Sequence, residues 1–253
     1  MIGLRRWVRQ AVPLSLRQSL AHRRQQLSDW GRGVRFDDTR VSDLTGYQVQ
    51  VELTQPIMPS ALFENKLANL RHGASLLNFS SIGPGGLWSF WRTIGEPTEA
   101  SGFLVGRNLV NGELTAQFGG GLCQPSSLMY HLALLAGLTI AERHPHSIDI
   151  YEEHTRFTPL GADATVVWGF KDLRLANPHS TEVVFECFVE GHSITARVHA
   201  REGLPRCDVQ FTRAPLEPPM VEVDTWINGA VVDQTIYEQR QGMGLQPPRQ
   251  PTA

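Results

Sequence analysis

The segment Gln117–Leu138, "QFGGGLCQPSSLMYHLALLAGL", joins a glycine-rich turn to an apolar helix and puts a cysteine at the junction. Pro125 is the residue type favoured at the first helical position, where a backbone N–H has no intrahelical acceptor, and Gly137 supplies the stop. Leu128, Met129, Leu132, Leu135 and Ala136 make a broad apolar face, which predicts a largely buried helix. Cys123 is expected just before the first turn, facing unpaired N–H groups and the positive end of the helix dipole. Such surroundings favour thiolate over thiol. Gly119, Gly120 and Gly121 permit close backbone approach, and free N–H groups beside the sulfur are suited to a developing oxyanion.

Upstream of this segment, Tyr47–Leu53 alternates like a strand and Ala61–Leu77 has helical spacing. Leu87–Ile94 reads as a short strand, and Asn111-Gly112 is a hairpin-turn signal. Downstream the pattern turns to β. "SIDIYEEH", "DATVVWGFKDLRLAN", "TEVVFECFVEG" and "HSITARVHA" read as strands, the last two joined at Glu190-Gly191. "VEVDTWINGAVVDQTIYE" predicts a hairpin with Asn228-Gly229 at its tip. Helices early and strands late predict an α+β fold: a central, mostly antiparallel sheet with a buried helix that starts at the Gly-rich Cys loop. The expected parts are a basic amphipathic N-terminal arm (1–45), an α+β domain (46–213), a C-terminal β-hairpin (214–240) and a disordered tail (241–253).

With 41% hydrophobic and 19% charged residues, the chain has the composition of a globular protein, not a disordered one. Its net charge of -2 hides an asymmetry, because residues 1–40 carry nine Arg against three acids and so leave -8 to the remainder. In the arm, Trp7, Val8, Leu14, Leu16 and Leu20 alternate with Arg5, Arg6, Arg9, Arg17, Arg23 and Arg24. No apolar run there is long enough for a bilayer span or a signal-peptide core, and Pro13 interrupts any continuous helix. The arm is expected to pack on its own domain or to lie on an anionic membrane surface; nucleic acid is not an expected partner. A cytoplasmic location, or one peripheral to the inner membrane, follows as the expectation. Three cysteines imply no disulfide framework. Cys187 reads as a small buried hydrophobe, Cys207 has no special context, and a bridge between them stays open.

A nucleophilic thiol needs a base and a group to orient that base. His144 and His146 follow 21 and 23 residues after Cys123, and Asp163 follows His146 by 17. On an extended segment both imidazoles would project from one face. His146 is the preferred base, His144 the second choice, and Asp163 the orienter, although Asp163 also suits a turn after Gly161. Cysteine, histidine and aspartate in this order match the arrangement of transglutaminase-like and papain-like thiol enzymes. Gln117 or Gln124 would supply side-chain donors to an oxyanion, while Ser126 and Ser127 suit backbone bonds in the first helical turn and His131 a packed or solvent-facing place. The same residue types open a metal reading, with Cys123, His144, His146 and Asp163 as ligands, but neither CxxC nor HExxH is present. No cofactor is expected: the glycines are not followed by the Gly-Lys-Ser/Thr of a phosphate-binding loop.

The combination "GGGLCQPSSLMYHLALLAGLTIAERHPHS" and "PLGADATVVWGFKDLRLAN" resembles the VanW-like family, from about Asn78 to Ala200. The family pattern falls on Gly119, Gly120, Gly121, Cys123, Gln124, Ser126, His144, His146 and Asp163. The resemblance implies a link to glycopeptide resistance and the bacterial cell envelope. Beside it, the residues support a Cys-dependent hydrolase or acyltransferase acting on a peptide or amide such as peptidoglycan or a precursor. The alternatives are a non-catalytic module that binds a wall fragment or peptide, with Cys123 structural, and a Cys/His metal-binding protein.

Overall fold

The computed structural model describes residues 12–110, 113–149, 156 and 158–240. Among the described residues a helix α1 (Leu14–Gly31) comes first, directly after Pro13. A short strand β1 (Thr39–Arg40), β2 (Gln48–Pro56), helix α2 (Phe63–Leu77) and β3 (Ser80–Ile82) follow. These first strands join β10 (Val183–Glu190) and β11 (Ser193–Ala200) in a five-stranded antiparallel sheet, ordered β1-β3-β10-β11-β2. The fold is therefore α+β, as the sequence predicts. Two helices pack on this sheet: α2 on β10, and α4 (Cys123–Leu135) on β11 and β2.

Helix α4 is buried on nearly all sides, with Leu128, Met129, Leu132 and Ala133 fully inaccessible. Burying a leucine side chain contributes about 1.5–3 kcal/mol, so this helix is held by its surroundings far more than by its own propensity. It ends in a Schellman arrangement: Leu138 N–H donates to Ala133 O, Gly137 N–H to Leu134 O, and Gly137 has φ +68°. Its start differs slightly from the sequence reading. Cys123 is the first helical residue and Pro125 the third, a place that still needs no donor.

The second half adds smaller sheets. Strands β4 (Leu87–Ser89), β9 (Arg174–Ala176) and β7 (Thr139–Glu142) form one, and β5 (Val105–Val110) pairs with β6 (Glu113–Phe118) in another. The last sheet runs β12 (Val209–Pro215), β13 (Met220–Ile227), β14 (Ala230–Gln239) and then β8 (Ile148–Asp149), which is parallel to β14. The β13–β14 turn is Asn228-Gly229, both at positive φ. Strand β12 runs through position 213, so the C-terminal hairpin carries a third strand.

Other expectations shift. Leu87–Ile94 is not one strand: Ser89 Oγ accepts the Arg92 N–H and caps a one-turn helix α3 (Phe90–Ile94). The stretch from Asp163 is strand only at Arg174–Ala176, because Ala164 bonds instead to the start of α4 and Gly169, at φ +77°, turns the chain back. The β10–β11 turn is Gly191-His192, one residue later than predicted. Residues 1–11, Asn111-Gly112, most of "SIDIYEEH" beyond Asp149, and the tail 241–253 lie outside the described residues. All three cysteines are free, and burial beside Glu186 pushes the Cys187 thiol up to about 12. Among the described residues no helix is long and apolar enough to cross a membrane.

Candidate functional site

The start of α4 holds two pieces of the site at once. It carries Cys123 on its first turn, and its next serines fasten the chain that carries Asp163. Ser126 Oγ donates to the Ala164 carbonyl at 2.6 Å, and the Ala164 N–H donates to Ser127 Oγ at 2.9 Å. Both hydroxyls also reach the Cys123 carbonyl. Thr165 N–H donates to the His144 carbonyl at 2.6 Å, so the Asp163 segment lies alongside the histidine segment. On the far side, Glu238 N–H from β14 donates to the Ser147 carbonyl, which fixes the chain just after His146.

Cys123, His146 and Asp163 meet there. His146 gives both its backbone N–H (2.6 Å) and its ring Nδ1 (2.8 Å) to one oxygen, Asp163 Oδ2. Nδ1 is thereby the protonated nitrogen, which leaves Nε2 for the hydrogen bond between the imidazole and the half-buried Cys123 thiol. The sulfur also lies 3.7 Å from the Val166 carbonyl. Burial by itself would push the thiol up, yet the hydrogen bond and charge of His146 override it and hold Cys123 below the ordinary cysteine value. Burial would likewise lower His146, but Asp163 and Cys123 raise it well above an ordinary imidazole. Each group is thus shifted toward its charged form, the thiol downward and the imidazole upward.

Asp163 is the anchor of that polarity. Its second oxygen accepts the Tyr237 hydroxyl at 2.5 Å and Arg143 Nη2 at 3.1 Å. Burial opposes the charge, but His146 and Arg143 outweigh burial and keep the carboxyl far below the usual range. Arg143, with only 5% of its side chain exposed, also bonds the Asp163 and Gly161 carbonyls, the Tyr237 hydroxyl, Thr235 Oγ1 and Asp233 Oδ2, and stacks 4.9 Å from the Tyr130 ring centre. His144 goes elsewhere: its Nε2 lies 2.9 Å from Glu142 Oε1. The segment after β7 is irregular, so the two imidazoles do not share a face. Among the described residues no three His, Cys, Asp or Glu side chains gather as a metal would need, and the Cys123, His144, His146 ligand set is not assembled.

The glycine loop shapes the approach to the sulfur. Gly120 packs against the backbone of Gly106, and a Cβ on it would lie 2.1 Å from the Gly106 carbonyl carbon. Buried Asn69 fastens the loop, donating to the Gly120 and Leu104 carbonyls and accepting the Leu104 N–H. Gly120→Ala should destabilise the fold by about 3 kcal/mol or more, since only backbone stands in the way; urea unfolding within about 1 kcal/mol of wild type would contradict this. Gly121, at φ +104°, faces the Lys66 stem. Gln124 Nε2 donates to the Pro56 carbonyl at 2.9 Å, which points its amide at the end of β2.

Cys123 borders a cavity of about 330 Å³ together with Gln117, Gly119 and Leu122. Phe118, Trp91, Trp168 and Val166 make the walls apolar, and Leu14, Ser15 and Gln18 of α1 close one side. The Trp168 ring stacks on His22 of α1 at 4.2 Å, and its buried Nε1 has no hydrogen-bond partner among the described residues. Glu96 is the one charged residue among those lining the cavity.

Of the residues singled out from sequence, Cys123, His146 and Asp163 come together, Gln117 and Gly119 join Cys123 in lining the cavity, and Ser126 serves by holding Ala164. His146 and Asp163 stand behind the sulfur and, like Gly120, Gly121, Gln124 and His144, do not line the cavity. Arg143, Tyr237, Asn69, Trp168 and the wall made by α1 were not read from the sequence. The Tyr237 signal was present: in β14 the buried Thr235 and Tyr237 alternate with exposed neighbours, marking an inward face.

A family model described as "VanW like protein" matches residues 65–199. The "Vancomycin B-type resistance protein VanW" of Enterococcus faecalis is 35% identical over 126 residues, covering 50% of this chain and 45% of that protein. An uncharacterized protein of Bacillus subtilis, YoaR, is 27% identical over 151 residues, covering 60% of this chain and 48% of that protein. The matches therefore span about half the length of these curated relatives. No solved structure matches the chain.

Proposed function

The chain belongs to the VanW-like family, and from that premise we propose that it is a thiol enzyme that cleaves or transfers an amide or peptide bond. Its link to vancomycin resistance comes through the family, and a peptide of the cell wall or its precursor is the substrate class we propose. The observation that carries this reading is the Cys123–His146–Asp163 relay at the edge of a cavity.

In the proposed reaction the Cys123 thiolate attacks the substrate carbonyl carbon and forms an S–C bond, with the carbonyl π pair moving to oxygen. As the C–N bond breaks, His146 Nε2–H gives its proton to the leaving amine and a thioester remains. Water or an acceptor amine then attacks the thioester, His146 takes the attacking group's proton, and the thiolate departs. Asp163 keeps Nδ1–H in place and stabilises the imidazolium throughout. Gln117, which lines the cavity beside Cys123, is the side-chain donor suited to the oxyanion. Apolar walls with a single carboxylate, Glu96, suit a neutral or cationic amide better than an anionic one.

The test is the rate of Cys123 alkylation by iodoacetamide against pH, read by mass spectrometry. In the wild type the rate should rise with a midpoint below about 8.5, the free-cysteine value. In His146→Ala the largest influence that opposes burial is gone, and the midpoint should move up from that of the wild type. Superimposable profiles would remove the pair, and with it the proposed nucleophile.

A further inference from the structure

Helix α1 has two faces with different work. At about 100° per residue, Gln18, His22 and Asp29 share the inward face. Gln18 lines the Cys123 cavity, His22 stacks on Trp168, and Asp29 is gripped by Arg174 through two bonds of 3.0 and 2.8 Å. The helix is therefore fixed to the domain at several points. On the opposite side Leu16, Leu20, Leu27 and Trp30 fall within a sector of about 80°, and they are 51, 56, 68 and 81% exposed. Arg23 projects within this stripe, Arg24 beside it, and Arg32 and Arg35 just past the helix end; all four are exposed. The helix contains one acid, Asp29, and it is buried on the other face.

We propose that this outer face of α1 is a docking surface for an anionic lipid bilayer. Leucines and a tryptophan at the crest would enter the headgroup boundary, and the flanking guanidiniums would meet lipid phosphates while their stems cover apolar surface. Charge decides between occupants: an apolar stripe threaded with arginines and lacking an exposed acid repels a second copy of itself and suits a negative surface. Because the inner face of the same helix walls the cavity, docking brings Cys123 to within roughly one or two helix diameters, about 10–20 Å, of the membrane. Resting on the proposed thiol chemistry, this makes a membrane-held peptide the substrate class; the docking itself does not depend on turnover.

Co-sedimentation of the full chain with vesicles tests it. Wild type should bind vesicles containing about one-third phosphatidylglycerol at least about tenfold more tightly than pure phosphatidylcholine, and added salt should weaken the binding. Leu20→Ser/Leu27→Ser should lose at least about tenfold in vesicle affinity while keeping its melting temperature and the pH profile of Cys123 alkylation. No binding to anionic vesicles overturns the inference, as does equal binding by the double variant. A wild-type dimer that the double variant dissociates, without lipid binding, overturns it in favour of self-association. None of these outcomes bears on the thiol chemistry, which the alkylation profile reads separately.

Discussion

Arg143→Met loses about 3–5 kcal/mol of folding stability, the cost of removing one partner from a buried ion pair. Six hydrogen bonds leave with the guanidinium, to the Asp163 backbone and carboxylate, Gly161, Tyr237, Thr235 and Asp233. Asp233 is 43% exposed on its side chain and rehydrates, whereas Asp163, at 14%, keeps a buried charge with fewer donors. The effect also depends on pH. The depressed carboxyl of Asp163 contributes stability that is present above its unfolded value of about 4 and is lost as pH falls through the lower folded value. The deficit of the variant should therefore shrink in acid. Urea unfolding at neutral pH and in acid measures both quantities. A loss of less than about 1 kcal/mol at neutral pH would mean that the clamp on Asp163 contributes little.

If Cys123 is the proposed nucleophile, Cys123→Ala should remove amide turnover by a factor of about 10⁴ or more, because no other thiol is near the relay. Cys187 lies in the sheet core and its thiol is pushed up by burial, so it cannot substitute. The fold should survive, with a stability change of about 1 kcal/mol or less, since Cys123 is half-buried and its helix is held by neighbouring leucines. Activity against peptidoglycan peptides, with thermal unfolding alongside, checks the two halves together. Turnover that persists in this variant removes the nucleophile whatever the alkylation profile shows; lost turnover with lost folding would instead give Cys123 a structural role.

Much of the site could be read from the chain because its chemistry is local. The glycine run, the cysteine and the helix after it lie within Gln117–Leu138, and positive φ, a helix start and an apolar face are written in residue type and spacing. That reading missed the register of the start, Cys123 standing inside the first turn, and the places of Gly120, Gly121 and Gln124, which lie off the cavity with the Gln124 amide bonded to Pro56. The histidines show where locality ends. Two residues apart, they are ranked by sequence, His146 before His144, but only the irregular path after β7 turns His146 to Asp163 and His144 to Glu142.

Sequence by itself determined the α+β class, the buried helix and the residue types brought to its N-terminus, since periodicity and glycine placement act within a few residues. Tertiary structure decided the rest. Arg143, just past the end of β7, and Tyr237 in β14 polarise Asp163 from positions 94 residues apart in the chain, and α1 closes the cavity through a stacked His22 and a paired Asp29. These contacts depend on long-range packing and on charges that find each other only after the sheets have formed, and no local pattern records them.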